Sequence, residues 1–191
     1  MSIGRHPSAV WRSHAVNELG GSATAAGHAL ARLCFETLLE YGTPALRAAE
    51  AHAVTPALER IVEANVLLSG LGFESGGLAA AHAIHNGLTV LEGAHRFLHG
   101  EKVAVGTIAQ LFLEGRSRDT IEQVLDFCLQ VGLPLGLSDL GLAEVGDPDL
   151  ARVAEAACAP GESIHHEPFP VTRAMVMDAL KAADAYGQSY R

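Results

Sequence analysis

The sequence predicts an all-α domain, and three observations carry that reading. Each strong apolar pattern in the 191 residues has the helical period near 3.6 rather than the strand period of two. Most of those patterns open on a capping residue or a proline suited to a first helical turn. No stretch alternates apolar and polar residues well enough to be read as a strand.

From Thr24 to Tyr41, Leu30, Leu33, Cys34, Thr37 and Leu38 fall on one face, and Gly42 follows as a stop. Thr43-Pro44 and Thr55-Pro56 each read as an N-cap followed by proline at the first helical position. After the second, Leu58, Ile61, Val62 and Leu68 form a stripe ending near Gly70. A glycine- and alanine-rich helix is expected from Ser75 to about Val90, and another from near Gly100, carrying Val103, Ile108, Leu111 and Phe112. Asp119 and Glu122 read as a capping box ahead of Val124, Leu125 and Cys128. Gly132 to Gly136 is a connector, Asp147-Pro148 opens a short helix through Cys158, and Thr172 opens a last one towards Tyr186 and Gly187. Repeats and low-complexity segments are absent. Residues 1–20 read as a divergent or truncated start, and 21–191 as the helical domain.

Composition narrows the function. A formal charge of −9 offers no basic surface to phosphates, so a nucleic-acid binder is not expected. No apolar run approaches the roughly 20 residues of a membrane helix, and Met1 to Pro7 has no signal-peptide core. No membrane partner is expected, and the setting is read as cytoplasmic. Cys34, Cys128 and Cys158 are odd in number and far apart, without a C-x-x-C pair, which reads as buried free thiols in a reducing compartment. Positive mean hydropathy, +0.20, implies a helical core plus apolar surface covered by a partner or another domain.

The chemistry-bearing stretch is Gly72-Phe73-Glu74-Ser75-Gly76-Gly77-Leu78-Ala79-Ala80-Ala81-His82-Ala83-Ile84-His85-Asn86-Gly87, followed by His95 and by His99-Gly100-Glu101-Lys102. His82 and His85 share a helix face, and His99 lies 17 residues beyond His82 at the mouth of the next helix. A helix reaching Val90 carries the chain away by about 12 Å, and nine extended residues can return about 30 Å. The spacing therefore permits His82 and His99 to share zinc or ferrous iron without demanding it. A histidine beside a glycine–alanine helix is more often packed or capped than ligating. Ser75-Gly76-Gly77 is no phosphate loop, since no Gly-Lys-Ser/Thr follows, and its small residues point to close helix packing. His165-His166 could bind metal, but a solvated loop outweighs that reading. Ser75 and the cysteines have no partner pattern for nucleophilic catalysis.

Residues Gly72 to Thr89, with His99-Gly100-Glu101-Lys102-Val103-Ala104, closely resemble glycerol dehydrogenases of the iron-containing alcohol dehydrogenase family. Leu30 to Cys34, Thr37 to Glu40, Val54 to Arg60, Val153 to Cys158 and Ala183 to Gln188 extend the resemblance from about Gly20 onward. It implies an α/β nucleotide-binding domain preceding the helical one, a site in the cleft between them, and NAD-linked oxidation of the small polyol glycerol to dihydroxyacetone. It also implies a divalent metal, usually zinc, on one aspartate and two histidines, with a homo-oligomeric, ring-like assembly. The two histidines match His82 and His99, and His85 becomes their neighbour.

Two departures shape the expectation. No glycine-rich dinucleotide-binding unit precedes the helices in these 191 residues. Where the family's Gly-Asp-Ala is expected, the chain reads Ile3-Gly4-Arg5-His6-Pro7, and its first acidic residue is Glu18. Arg5 would repel a cation, whereas His6 would substitute as a ligand. The expectation is a metal-binding half that binds zinc weakly, is inactive alone and needs an NAD-binding partner chain. A non-catalytic remnant is the alternative.

Overall fold

The computed structural model describes residues 20–22 and 24–191. The readings placed on Arg5, His6 and Pro7 lie outside those residues. The described residues are helical, as expected, and contain no extended strand; Ser22 alone forms an isolated bridge. None of the described helices is long and apolar enough to cross a membrane. The chain forms two compact units, one reaching Leu78 and including 166–169, the other comprising 79–165 and 170–191.

The first unit opens with α1, Ala25–Glu50, whose N-cap Thr24 accepts the Gly27 amide at 3.0 Å. The expected break at Gly42 and the expected cap at Thr43 do not occur, because α1 continues through Pro44. An interior proline costs on the order of 3 kcal/mol. Burial of Gly42, Ala45 and Ala48 on the same stretch recovers part of it, and α1 also packs on α2 and α3, so tertiary packing overrides the local signal.

The second threonine–proline pair behaves as expected. Thr55 caps α2, Pro56–Glu63, by accepting the Leu58 amide at 3.3 Å, with Pro56 in the first turn. The helix does not end near Gly70. It widens into a π turn, Ala64–Leu68, and continues as α3, Ser69–Gly76. The π turn is where the Ser69 amide reaches back five residues to the Ala64 carbonyl, which also accepts the Cys34 thiol at 3.6 Å. It turns the face that packs inward. Ala64, Leu68 and Gly72 are buried, whereas Val62 from the expected stripe is exposed. Gly72 lies against the Ala31 backbone and Ser75 against Gly27, the close-packing role expected of the small residues before His82, whereas Gly76 faces open space.

The first unit closes just past Gly77, whose φ of +76° stops α3 and delays the next helix, and the second unit begins at Ala79. Helix α4 therefore spans Ala80–Leu88 rather than starting at Ser75. Helix α5, His99–Leu113, follows a short 3₁₀ turn at Glu92–Arg96. Helix α6, Arg118–Val131, is capped by Ser117, which accepts the Thr120 amide at 3.3 Å. Asp119 and Glu122 are thus not the capping pair. Asp119 sits inside the first turn, where its charge suits the helix dipole, while Glu122 receives Arg118 and the Tyr186 hydroxyl. Helix α7, Asp147–Ala157, and helix α8, Arg173–Ser189 with Thr172 as N-cap, complete the unit close to the expected bounds.

Helix α4 packs on α5 and α7, and α8 packs on both of those. Ile84, Leu88, Ile108, Leu125, Val153 and Leu180 are at or near zero exposure. Each such side chain stabilises the fold by about 1.5–3 kcal/mol relative to leaving it in water. Gly106 of α5 lies so close to the Ala81 carbonyl that a Cβ there would collide with its oxygen. The cysteines are all free; Cys128 is buried, but Cys34 and Cys158 are only half-buried.

Candidate functional site

The site is built where α4 passes the start of α5. On α4, Ala80, Ala81, Ala83, Ile84, Gly87 and Leu88 are buried, leaving His82, His85 and Asn86 as its polar side. Small residues on the packed side let α5 approach, and Gln110 of α5 accepts the Ala81 amide at 2.8 Å through Oε1. That bond satisfies one of the free amides of the first turn of α4.

The arrival of α5 is fixed with similar care. Lys102 is buried and donates through Nζ to the carbonyls of Phe97 at 2.9 Å and Ala94 at 3.4 Å. Glu101 accepts the Leu98 amide at 2.6 Å. Together these hold the turn that delivers His99 to the N-terminus of α5.

The result brings His82, His85 and His99 together. The rings of His82 and His99 lie 5.8 Å apart between centroids, tilted by 45°. His85 meets His99 edge-on at 4.3 Å, with 3.2 Å between His85 Nε2 and His99 Nδ1. On its other side His85 Nδ1 contacts Asn86 Oδ1 at 3.0 Å, and Asn86 Nδ2 donates to Glu162 at 2.9 Å. His85 is held below the ordinary histidine pKa, first by burial; the Asn86 bond opposes this, and the charges of His99 and Lys102 add to it. A neutral imidazole is the form that has a lone pair to offer.

His95 is not part of the cluster. Its Nε2–H donates to the Thr89 carbonyl at 2.7 Å, tying down the turn between the helices. His165 contacts the Ala159 carbonyl at 3.1 Å, and His166 the Leu78 carbonyl at 2.8 Å, so this pair braces a loop. Sequence reasoning missed Gln110, Asn86 and Glu162. Gln110 and Glu162 lie 29 and 76 residues from their partners, and only Asn86, adjacent to His85, carried a local signal.

The His82–His99 geometry suits a shared ion. With nitrogen about 2.0–2.1 Å from zinc, each ring centre lies roughly 3.2 Å from the ion, so two ligating rings stand about 5–6.4 Å apart. The observed 5.8 Å falls inside that range. Among the described residues no three His, Cys, Asp or Glu side chains converge on one point.

No family model matches the chain. It is 61% identical over 177 residues to a glycerol dehydrogenase of Thermotoga maritima, covering 93% of this chain and 49% of that protein. A glycolaldehyde reductase of Halobacterium salinarum is 55% identical, over 96% of this chain and 50% of its own length. The crystal structure of glycerol dehydrogenase from Schizosaccharomyces pombe superposes with a TM-score of 0.90 at 42% identity, over 96% of this chain and 47% of that one. That of a probable glycerol dehydrogenase from Sinorhizobium meliloti also gives 0.90, at 49% identity, over 95% and 51%. The chain spans about half the length of these relatives. By sequence and by fold it belongs to the glycerol dehydrogenase family, as the all-helical C-terminal half.

Proposed function

We propose that this chain is the metal- and substrate-holding helical half of an NAD-linked glycerol dehydrogenase, with His82 and His99 as two ligands of a divalent ion, zinc in this reading. The observation that supports it best is the pairing of those two rings at 5.8 Å across the α4–α5 junction. A bound divalent ion would supply a Lewis acid that polarises a substrate hydroxyl. The chain's own contribution is placement. Gln110 fixes the start of α4, Lys102 and Glu101 fix the start of α5, and the backbone that carries His82 and His99 is thereby placed before any ligand arrives.

In this reading a third donor and the nicotinamide-binding surface come from outside the described residues, either from another segment or from a separate chain, within a homo-oligomeric assembly. Glycerol is the first substrate to test. The 55% identity to a glycolaldehyde reductase favours a second, the two-carbon hydroxyaldehyde.

Calorimetric zinc titration of the purified chain tests the ligands. His82→Ala and His99→Ala should each weaken binding by at least about tenfold, since each removes a bond to the ion; affinities equal to the parent would overturn the assignment. Nicotinamide turnover with glycerol or glycolaldehyde is expected only when a nucleotide-binding half is supplied. Robust turnover by the chain alone would refute that requirement.

A further inference from the structure

We propose that Glu162 and Asn86 are positioning residues that act through His85 to set the tautomer of His99; the consequence for metal rests on His99 being a ligand. The argument follows one chain of hydrogen bonds from the 162 loop to α5. An ionised carboxylate only accepts, so the group of Asn86 facing Glu162 at 2.9 Å is its NH₂. The amide oxygen therefore points the other way, towards His85 Nδ1 at 3.0 Å. An amide oxygen also only accepts, so His85 carries its proton on Nδ1 and leaves Nε2 bare.

That bare nitrogen faces His99 Nδ1 at 3.2 Å. Between two neutral rings one nitrogen must donate, and His85 Nε2 has no proton to give. His99 is therefore Nδ1–H, and its lone pair is on Nε2, free for coordination. Hydrogen bonding at one ring nitrogen commonly decides what the other can do at a metal. Here the deciding group is two residues removed, on a loop that sequence spacing would never connect to the site.

Without the Glu162 carboxylate, the Asn86 amide is free to turn its NH₂ towards His85. His85 would then hold its proton on Nε2 and donate it to His99 Nδ1, placing the His99 proton on Nε2. The ligating lone pair would be occupied. A single neutral hydrogen bond biases such an equilibrium by roughly fivefold, so the shift should be readable as a population change.

The test is nitrogen-detected NMR of the histidine rings in the metal-free chain at pH 8, where the readout does not depend on metal or turnover. The parent should show His85 and His99 as Nδ1–H tautomers. Asn86→Leu should move both towards Nε2–H. Glu162→Ala, on a partly exposed loop where folding is not at stake, should do the same, while Glu162→Gln, which keeps an acceptor, should restore the parent pattern. Unchanged His99 signals in both Asn86→Leu and Glu162→Ala would overturn the proposal. Zinc titration of the same variants separates the two layers of the argument. A tautomer shift with about 10–100-fold weaker zinc binding supports both. A tautomer shift in a chain that binds no zinc at either histidine leaves the positioning role standing and sinks the metal reading beneath it.

Discussion

Replacing Gly106 by alanine should separate helix packing from metal geometry in one variant. A Cβ at this position would strike the Ala81 carbonyl oxygen, with the carbonyl carbon at 3.1 Å and the Cα at 3.3 Å. Non-bonded carbon contacts ordinarily sit at about 3.5 Å or more, so α4 and α5 must part by on the order of 1 Å. Overpacking of this kind costs about 1–3 kcal/mol, from which the better helix propensity of alanine returns up to about 1 kcal/mol. The clash is with backbone rather than a flexible side chain, which puts the cost in the upper part of that range; the net loss, roughly 1–2 kcal/mol, corresponds to about 2–8 °C in Tm for a chain of this size. Ala81 precedes His82 directly, so the same displacement pulls the His82 ring from His99. Metal–ligand distances tolerate only about 0.2 Å, so zinc affinity should fall by at least about tenfold. Thermal melts and zinc titrations, with Gly70→Ala as control, would check both numbers. Gly70 is helical with open space around it, so alanine there should be neutral or slightly stabilising and leave zinc binding alone. A Gly106→Ala chain that melts at or above the parent with unaltered zinc affinity would refute the close-packing argument.

The caps give a second test: Ser117→Ala and Thr55→Ala should each lose about 1 kcal/mol in urea unfolding, whereas Asp119→Ala should lose clearly less than Ser117→Ala. Burial pushes the Cys128 thiol up to about 11 and also raises those of Cys34 and Cys158. Iodoacetamide at pH 8 should accordingly modify the two half-buried thiols first and reach Cys128 only on unfolding; equal labelling rates would contradict the packing around α6. His85 should make the metal-free chain acid-sensitive. Its folded-state pKa is depressed, so its contribution is present above the unfolded value of about 6.5 and is lost as pH falls through the folded one. Urea melts at pH 7.5 and 5.5 should show stability declining towards acid, less steeply in His85→Gln.

The parts of this molecule legible in its sequence are those written locally. Thr55-Pro56, Asp147-Pro148 and Thr172 marked helix starts because a cap or first-turn proline acts within one turn. Thr43-Pro44 carried the same signal and misled, since burial of Gly42, Ala45 and Ala48 holds α1 together across it. Ser117 and Asp119 are both residue types that cap well, and only the observed bond distinguishes them. At the site, His82 and His99 were readable from the resemblance, and spacing alone left their meeting open. Gln110 and Glu162 were invisible, because hydrogen bonds between distant segments leave no periodic trace.

The π turn at Ala64–Leu68 gives the helix that contains it a phase. Losing one residue there would let an ordinary α ladder close, with little local cost. Everything after it would nonetheless rotate by roughly 100° and shorten by about 1.5 Å. Gly72 would swing away from Ala31 and Ser75 from Gly27, and larger side chains would be presented to α1 in their place. Insertions and deletions in this helix are therefore not equivalent by size. A change of three or four residues, close to a full turn, would nearly restore the facing set, whereas a change of one would not. Lineages that vary the length of this segment should do so in near-whole turns, and any single-residue change should arrive with compensating substitutions on α1.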